Sequence, residues 1–126
     1  MFGIFKKKGA QFDGPDFSRV DTPEKVRRLL AEGMLERVLL LPAEFGGEEI
    51  EPNIVHVPMG LAAIKAETDR NVILPLAEQG KVTRYVSTPT YVGKSRIPTA
   101  VQIEATDPAT FTFELRCWGD GLSAKS

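Results

Sequence analysis

The chain has 126 residues, 42% of them hydrophobic, and a formal net charge of −1. This length suits one domain with a single core that needs no disulfide or metal to fold. The near-zero charge gives no overall electrostatic footprint for nucleic acid, the lone Cys117 rules out an intrachain disulfide, and no apolar run approaches the ~20 residues of an integral membrane segment.

Residues 1–21 show no periodicity and place Gly9, Gly14 and Pro15 among several charges, so a poorly ordered arm is expected. Phe2, Ile4 and Phe5 lie beside Lys6, Lys7 and Lys8, which allows either docking on the core or a weak surface anchor. Apolar before basic is the wrong order for a signal peptide, and a single cysteine suits a reducing compartment, so the expected location is cytoplasmic.

A single domain is expected over 22–119, with a flexible tail over 120–126. Its first element is a helix over 23–32. Thr22 is a good N-cap, Pro23 suits the first helical position, and Glu24 complements the positive helix end. Val26, Leu29 and Leu30 share one face, and Gly33 suits the stop. The run Val38-Leu-Leu-Leu predicts a strand over 34–41 that is covered on both faces. Two glycines and two prolines make 42–53 a loop, and Ile54 to Val57 is a short strand candidate.

A long helix is expected over 58–79. Leu61, Ile64, Thr68, Val72 and Leu76 form its apolar stripe, widened by Ala62 and Ile73. Pro75 should kink it or split it, and Gly80 should end it. Glu67 and Arg70 can pair on its surface as i, i+3 neighbours, with Asp69 on the same solvated turn.

The rest predicts an antiparallel meander over 81–91, 97–106 and 110–118. In the last two strands Ile97, Thr99, Val101, Ile103 and Ala105 alternate with polar residues, as do Phe111, Phe113, Leu115 and Cys117. Both sets face one core only if opposed residue numbers have an even sum. A three-residue loop at Asp107-Pro108-Ala109 achieves this, pairing Ala105 with Phe111, Ile103 with Phe113, Val101 with Leu115 and Thr99 with Cys117. The first hairpin stays open between two registers. One puts Tyr85, Ser87 and Tyr91 on the apolar face; the other puts Val82, Arg84 and Val86 there. Pro89 cannot donate to a ladder and marks an edge strand. The fold class is therefore α+β, in two layers, with the helices over 23–32 and 58–79 covering one sheet face.

No catalytic constellation, cofactor motif or metal-ligand spacing is visible. His56, the only histidine, should lie opposite its valine neighbours, as a surface residue or as a ligand contact. Cys117 should be an inert buried thiol. From Leu41 to Gly80 seven acidic residues face two basic ones. Glu44, Glu48 and Glu49 lie in the loop of that segment and offer an acidic surface to a basic protein partner. Tyr91, Lys94 and Arg96 form a basic loop beside an aromatic ring that suits an anionic ligand or a partner carboxylate. Trp118, expected on the polar face opposite Pro98, is a candidate anchor for a partner or a homodimer unless the arm or the tail covers it. The leading expectation is a non-catalytic protein-interaction domain of adaptor or toxin-neutralising type. The alternative is a small-molecule or enzymatic domain with a pocket between the long helix and the sheet, near His56, Tyr85 and Tyr91.

Overall fold

The computed structural model describes residues 16–119. The class is α+β, with antiparallel sheets of two and three strands. Helix α1 (Pro23–Ala31) starts where expected, with the Thr22 hydroxyl accepting the Lys25 N–H at 3.2 Å. It ends at Gly33, whose φ of +77° lets the Met34 N–H reach back to the Leu29 carbonyl.

Strand β1 (Leu35–Leu39) pairs with β2 (Ile54–Pro58) in a separate two-stranded sheet. This corrects the expectation of a strand covered on both faces: Leu35 is buried, but Arg37 is exposed. Arg37 shares its face with Leu35, so coverage of that face stops within the strand, and Glu36 and Val38 on the other face are only part-buried. Between these strands Asn53 ties the loop down. Its amide exchanges two hydrogen bonds with the Leu41 backbone and donates a third to the Glu48 carbonyl. A Cβ at Gly47 would collide with the Leu41 carbonyl oxygen, so the turn requires glycine there.

The long helix begins at Leu61, later than expected, because Pro58 stays in β2 opposite Leu35. Its first turn is capped from a distance: the Glu36 carboxylate accepts the N–H groups of Gly60 (2.7 Å) and Ala62 (3.0 Å). Helix α2 (Leu61–Thr68) runs through a π-turn (Asp69–Ile73) into α3 (Leu74–Glu78). The Leu74 N–H bonds the Asp69 carbonyl five residues back, one residue before Pro75. The expected disturbance at Pro75 is thus a widened turn that keeps the path helical.

The inward face of this helix keeps Leu61, Ile73 and Leu76 of the predicted stripe but departs from it elsewhere. Lys65, Asp69 and Ile73 are buried, while Ile64 and Val72 are exposed. Lys65, only 1% exposed, donates to Asp69 Oδ2 at 2.8 Å and to Tyr85 Oη at 2.9 Å. The Tyr85 hydroxyl donates to Asp69 Oδ1 at 2.6 Å. Asp69, expected on a solvated turn, therefore forms a closed polar network with Lys65 and the sheet. Burial pulls the Lys65 ammonium down from its ordinary value against the pull of Asp69, and burial with the Asp69 carboxylate beside it pushes the Tyr85 phenol up.

The second sheet is the expected meander: β3 (Arg84–Thr90), β4 (Ala100–Thr106) and β5 (Thr110–Arg116). Ala105 opposes Phe111, Ile103 opposes Phe113 and Val101 opposes Leu115 across the three-residue loop. The Cys117 N–H continues to the Thr99 carbonyl at 2.8 Å. Within β3 the Tyr85 register is adopted, with Tyr85 opposite Ala105 and Ser87 opposite Ile103, but Tyr91, past the strand end, is exposed and Val82, ahead of it, is buried. Arg84 stays in solvent near Asp107, which avoids burying an unpaired guanidinium. β3 lies at the sheet edge, as Pro89 requires. The Ser87 hydroxyl donates to the Leu40 carbonyl at 2.8 Å and joins the two sheets.

The packed domain starts before residue 22. Phe17 is buried edge-to-face against Trp118, with ring centroids 6.1 Å apart, and Val20 is buried too. Residues 1–15 of the arm expected over 1–21, and the tail over 120–126, lie outside the described residues. No described helix is long and apolar enough to cross a membrane.

The buried network predicts non-additive stability. Lys65→Met or Asp69→Leu alone strands an opposite charge and should cost about 3–5 kcal/mol. The double variant, which removes both charges, should cost less than either single change. Urea unfolding of the three variants checks this, and strictly additive losses would contradict it.

Candidate functional site

A cavity of about 480 Å³ opens between α1, the β1–β2 hairpin and the β3–β4 connection. Helix α1 supplies Val26 and Leu30 on its apolar face and Arg27 at the rim. Arg37 of β1 and His56 of β2 are directly opposed across the ladder and enter the cleft together. Glu51 comes from the short 3₁₀ turn Glu51–Asn53. Tyr91 and Arg96 close the third side from the β3–β4 connection.

Arg96 is held at its base. Ser95 and Ile97 are buried on either side of it. The Ser95 hydroxyl donates to the Phe17 carbonyl at 2.8 Å, and Trp118 Nε1–H donates to the Ile97 carbonyl at 3.0 Å. The Arg96 N–H meets the Val20 carbonyl at 2.7 Å, and its Nε meets the Asp21 carbonyl at 3.2 Å. The two Nη ends of the guanidinium have no carboxylate within ion-pair distance among the described residues. Arg27 and Arg37 do have such neighbours, Glu24 at 3.7 Å and Glu49 at 3.2 Å, but both pairs are solvent-exposed and weak.

His56 lies opposite its valine neighbours as expected, with Val55 and Val57 buried. Burial first, and the Arg37 charge second, hold its imidazole below the ordinary 6.5. At neutral pH the cleft therefore presents three guanidiniums and a neutral imidazole against one carboxylate. Burial pushes the Tyr91 phenol up, which keeps it a neutral hydrogen-bonding group.

Of the residues singled out in the sequence, His56, Tyr91 and Arg96 converge here. Lys94 does not line the cleft. Glu44, Glu48 and Glu49 stand exposed in the 42–53 loop, with Glu44 beside a second cavity of about 290 Å³ over Lys65 and Asp69. Trp118 is not an exposed anchor: β5 ends at Arg116, and the indole turns inward to bond Ile97, leaving it 4% exposed. That removes it from any homodimer face. Cys117 is buried, its thiol pushed up to about 12. The alternative pocket was expected under the long helix with Tyr85. A cavity of about 300 Å³ does open there, beside Ile73, Ala77 and Tyr85, but His56 and Tyr91 do not line it: they belong to the cleft against α1.

Arg27, Arg37 and Glu51 were missed as site residues. Arg37 was accessible only through the β1–β2 pairing, which sets it against His56. No group of three His, Cys, Asp or Glu among the described residues could hold a metal ion. Compared with known proteins, the chain matches no family model, no curated protein and no solved structure.

The lone histidine reports on this site. Its folded value lies below the unfolded one, so the unfolded chain takes up the proton first. Stability should fall as pH drops through 6.5, before the exposed carboxylates of Asp16 and Asp21 titrate below 3.8. Proton NMR of the His56 ring should give a midpoint under 6.5, and His56→Gln should flatten the loss of stability in that window. A midpoint at or above 6.5 would contradict the assignment.

Proposed function

We propose that this chain is a non-catalytic binding domain that takes an anionic small molecule into the cleft between α1 and β2. The observation that carries this is the convergence of Arg27, Arg37 and Arg96 on one cavity with Glu51 as its only carboxylate among the described residues. Guanidiniums stay charged at any physiological pH and present paired donors to carboxylate or phosphate oxygens. A cavity of about 480 Å³ lies within the usual range of small-molecule sites. Titrating the full chain at low salt with a set of small carboxylates and phosphates should move the His56 ring resonances saturably. Arg96→Ala should weaken the tightest of them about tenfold or more. No saturable shift with any anion at millimolar concentration would remove the reading.

A second reading, protein interaction through the acidic loop, is favoured by the stiffness of that loop. Asn53 fixes it from three sides, and Ile50 stands exposed among Glu48, Glu49 and Glu51. A preorganised acidic rim around an apolar residue suits a basic protein partner. Affinity capture from the native host at low salt should return a basic protein, and Ile50→Asp with Glu48→Lys should abolish its capture. Equal capture by that variant would exclude the loop as the contact.

A further inference from the structure

We propose that the cleft selects a monocarboxylic acid with a compact apolar body, and that Arg96 binds its carboxylate. The inference rests on the cleft being an anion site and names the class of anion.

Three features narrow the class. The first is the guanidinium that is free to act. Arg96 has spent its Nε–H on the Asp21 carbonyl and its backbone N–H on the Val20 carbonyl. What remains is the fork of two Nη ends, a match for the two coplanar oxygens of a carboxylate. Arg27 and Arg37 carry acidic neighbours already and act as supporting charge. The second is the apolar lining. Val26, Leu30 and Ile54 line the same cavity as Tyr91. A ligand that is polar throughout would dry these side chains without meeting them, whereas an aliphatic or aromatic body covers them. The third is Glu51. Glu24 and Glu49 already sit beside Arg27 and Arg37, so with Glu51 in the lining three carboxylates offset three guanidiniums and little net charge is left for a second and third negative charge, which disfavours nucleotides and sugar phosphates. An ammonium group on the ligand is compatible with Glu51.

The acid has two sources, a free carboxylic acid or an apolar α-amino acid, and both present the same carboxylate and body. The test is a titration of the full chain followed by His56 and backbone amide shifts. The probes are 3-phenylpropionate, L-phenylalanine, 3-phenylpropanol, AMP and inorganic phosphate. Phenylpropionate should bind at least tenfold more tightly than phenylpropanol, AMP or phosphate. Phenylalanine binding more tightly than phenylpropionate would identify the amino acid as the source, and weaker binding would identify the free acid. Arg96→Ala should cost about ten- to a hundredfold in affinity, the worth of a charged hydrogen-bonded pair. Arg96→Lys, which keeps the charge and loses the fork, should recover only part of it. Glu51→Gln should raise AMP affinity. An amide spectrum of each variant checks that the 16–21 segment is still docked, and Arg27→Gln, at the rim, gives a milder loss where it is not.

If AMP or phosphate binds as tightly as phenylpropionate, the ligand class is wrong and the anion site stands. Phenylpropanol binding as tightly as phenylpropionate would overturn the role of Arg96. If no probe shifts the cleft, the anion site itself falls.

Discussion

Lys65, Asp69 and Tyr85 impose the condition that the helix over 61–78 has to meet. A buried ion without its partner costs several kcal/mol, so Lys65 and Asp69 must point the same way and reach Tyr85 together. With Ile73 they form an inward row spaced by four residues. On a regular α-helix such a row drifts about 40° around the axis at each step. The π-turn over Asp69–Ile73 holds more residues per revolution and takes back part of that drift. The same turn sits just ahead of Pro75, which has no N–H to give and would crowd the carbonyl four residues earlier. One local deviation thus serves the polar network and the proline. Phe45 stacks on the Tyr85 ring at 5.2 Å and shields the phenol from the loop side.

The cleft rests on a second chain of contacts, at the opposite end of the β3–β4 connection. Residues 95–97 alternate inward, outward, inward: Ser95 anchors the Phe17 carbonyl, Ile97 is held by Trp118, and Arg96 between them projects to the cleft. The 16–21 segment supplies both carbonyls that fix Arg96. A site built on a packed alternation of this kind holds its charge at low entropic cost when an anion arrives.

How much of this was legible depended on what each residue type signals. The β4–β5 hairpin was read down to its register, because strict alternation and a one-sided core leave a single parity for the loop. The β3 register was narrowed to two, and the cost of burying Arg84 is what separates them in the folded chain. The inward face of the long helix was read only in part. Lys65 and Asp69 stand at i, i+4 with opposite charge, a spacing ordinarily found on solvated faces, and only their tertiary partner Tyr85 makes burial affordable. For Trp118 the alternative of cover by the N-terminal arm holds, through Phe17, while its place on the polar sheet face fails because β5 ends at Arg116 and no alternation pattern marks where a strand stops pairing. His56, Tyr91 and Arg96 were found as residue types, but their convergence was not. It depends on a β1–β2 pairing and on a docked 16–21 segment, both set by long-range contacts.

The two functional readings are not electrically separate. Glu49 of the acidic loop pairs with Arg37 of the cleft at 3.2 Å, and Glu51 stands in the loop and in the cleft lining at once. The pair is exposed, so it restrains Arg37 by less than about 1 kcal/mol, and solvent competes with it readily. Arg37 therefore shares its charge between the loop and the cavity, while Arg96, committed among the described residues to main-chain carbonyls alone, turns its Nη ends to the cavity. This asymmetry ranks the arginines. Salt or loop substitution reaches the cleft through Arg37, and loss of the 16–21 docking reaches it through Arg96. In a chain whose total charge is −1, the cleft's positive character comes from where three guanidiniums are placed and not from any excess of them.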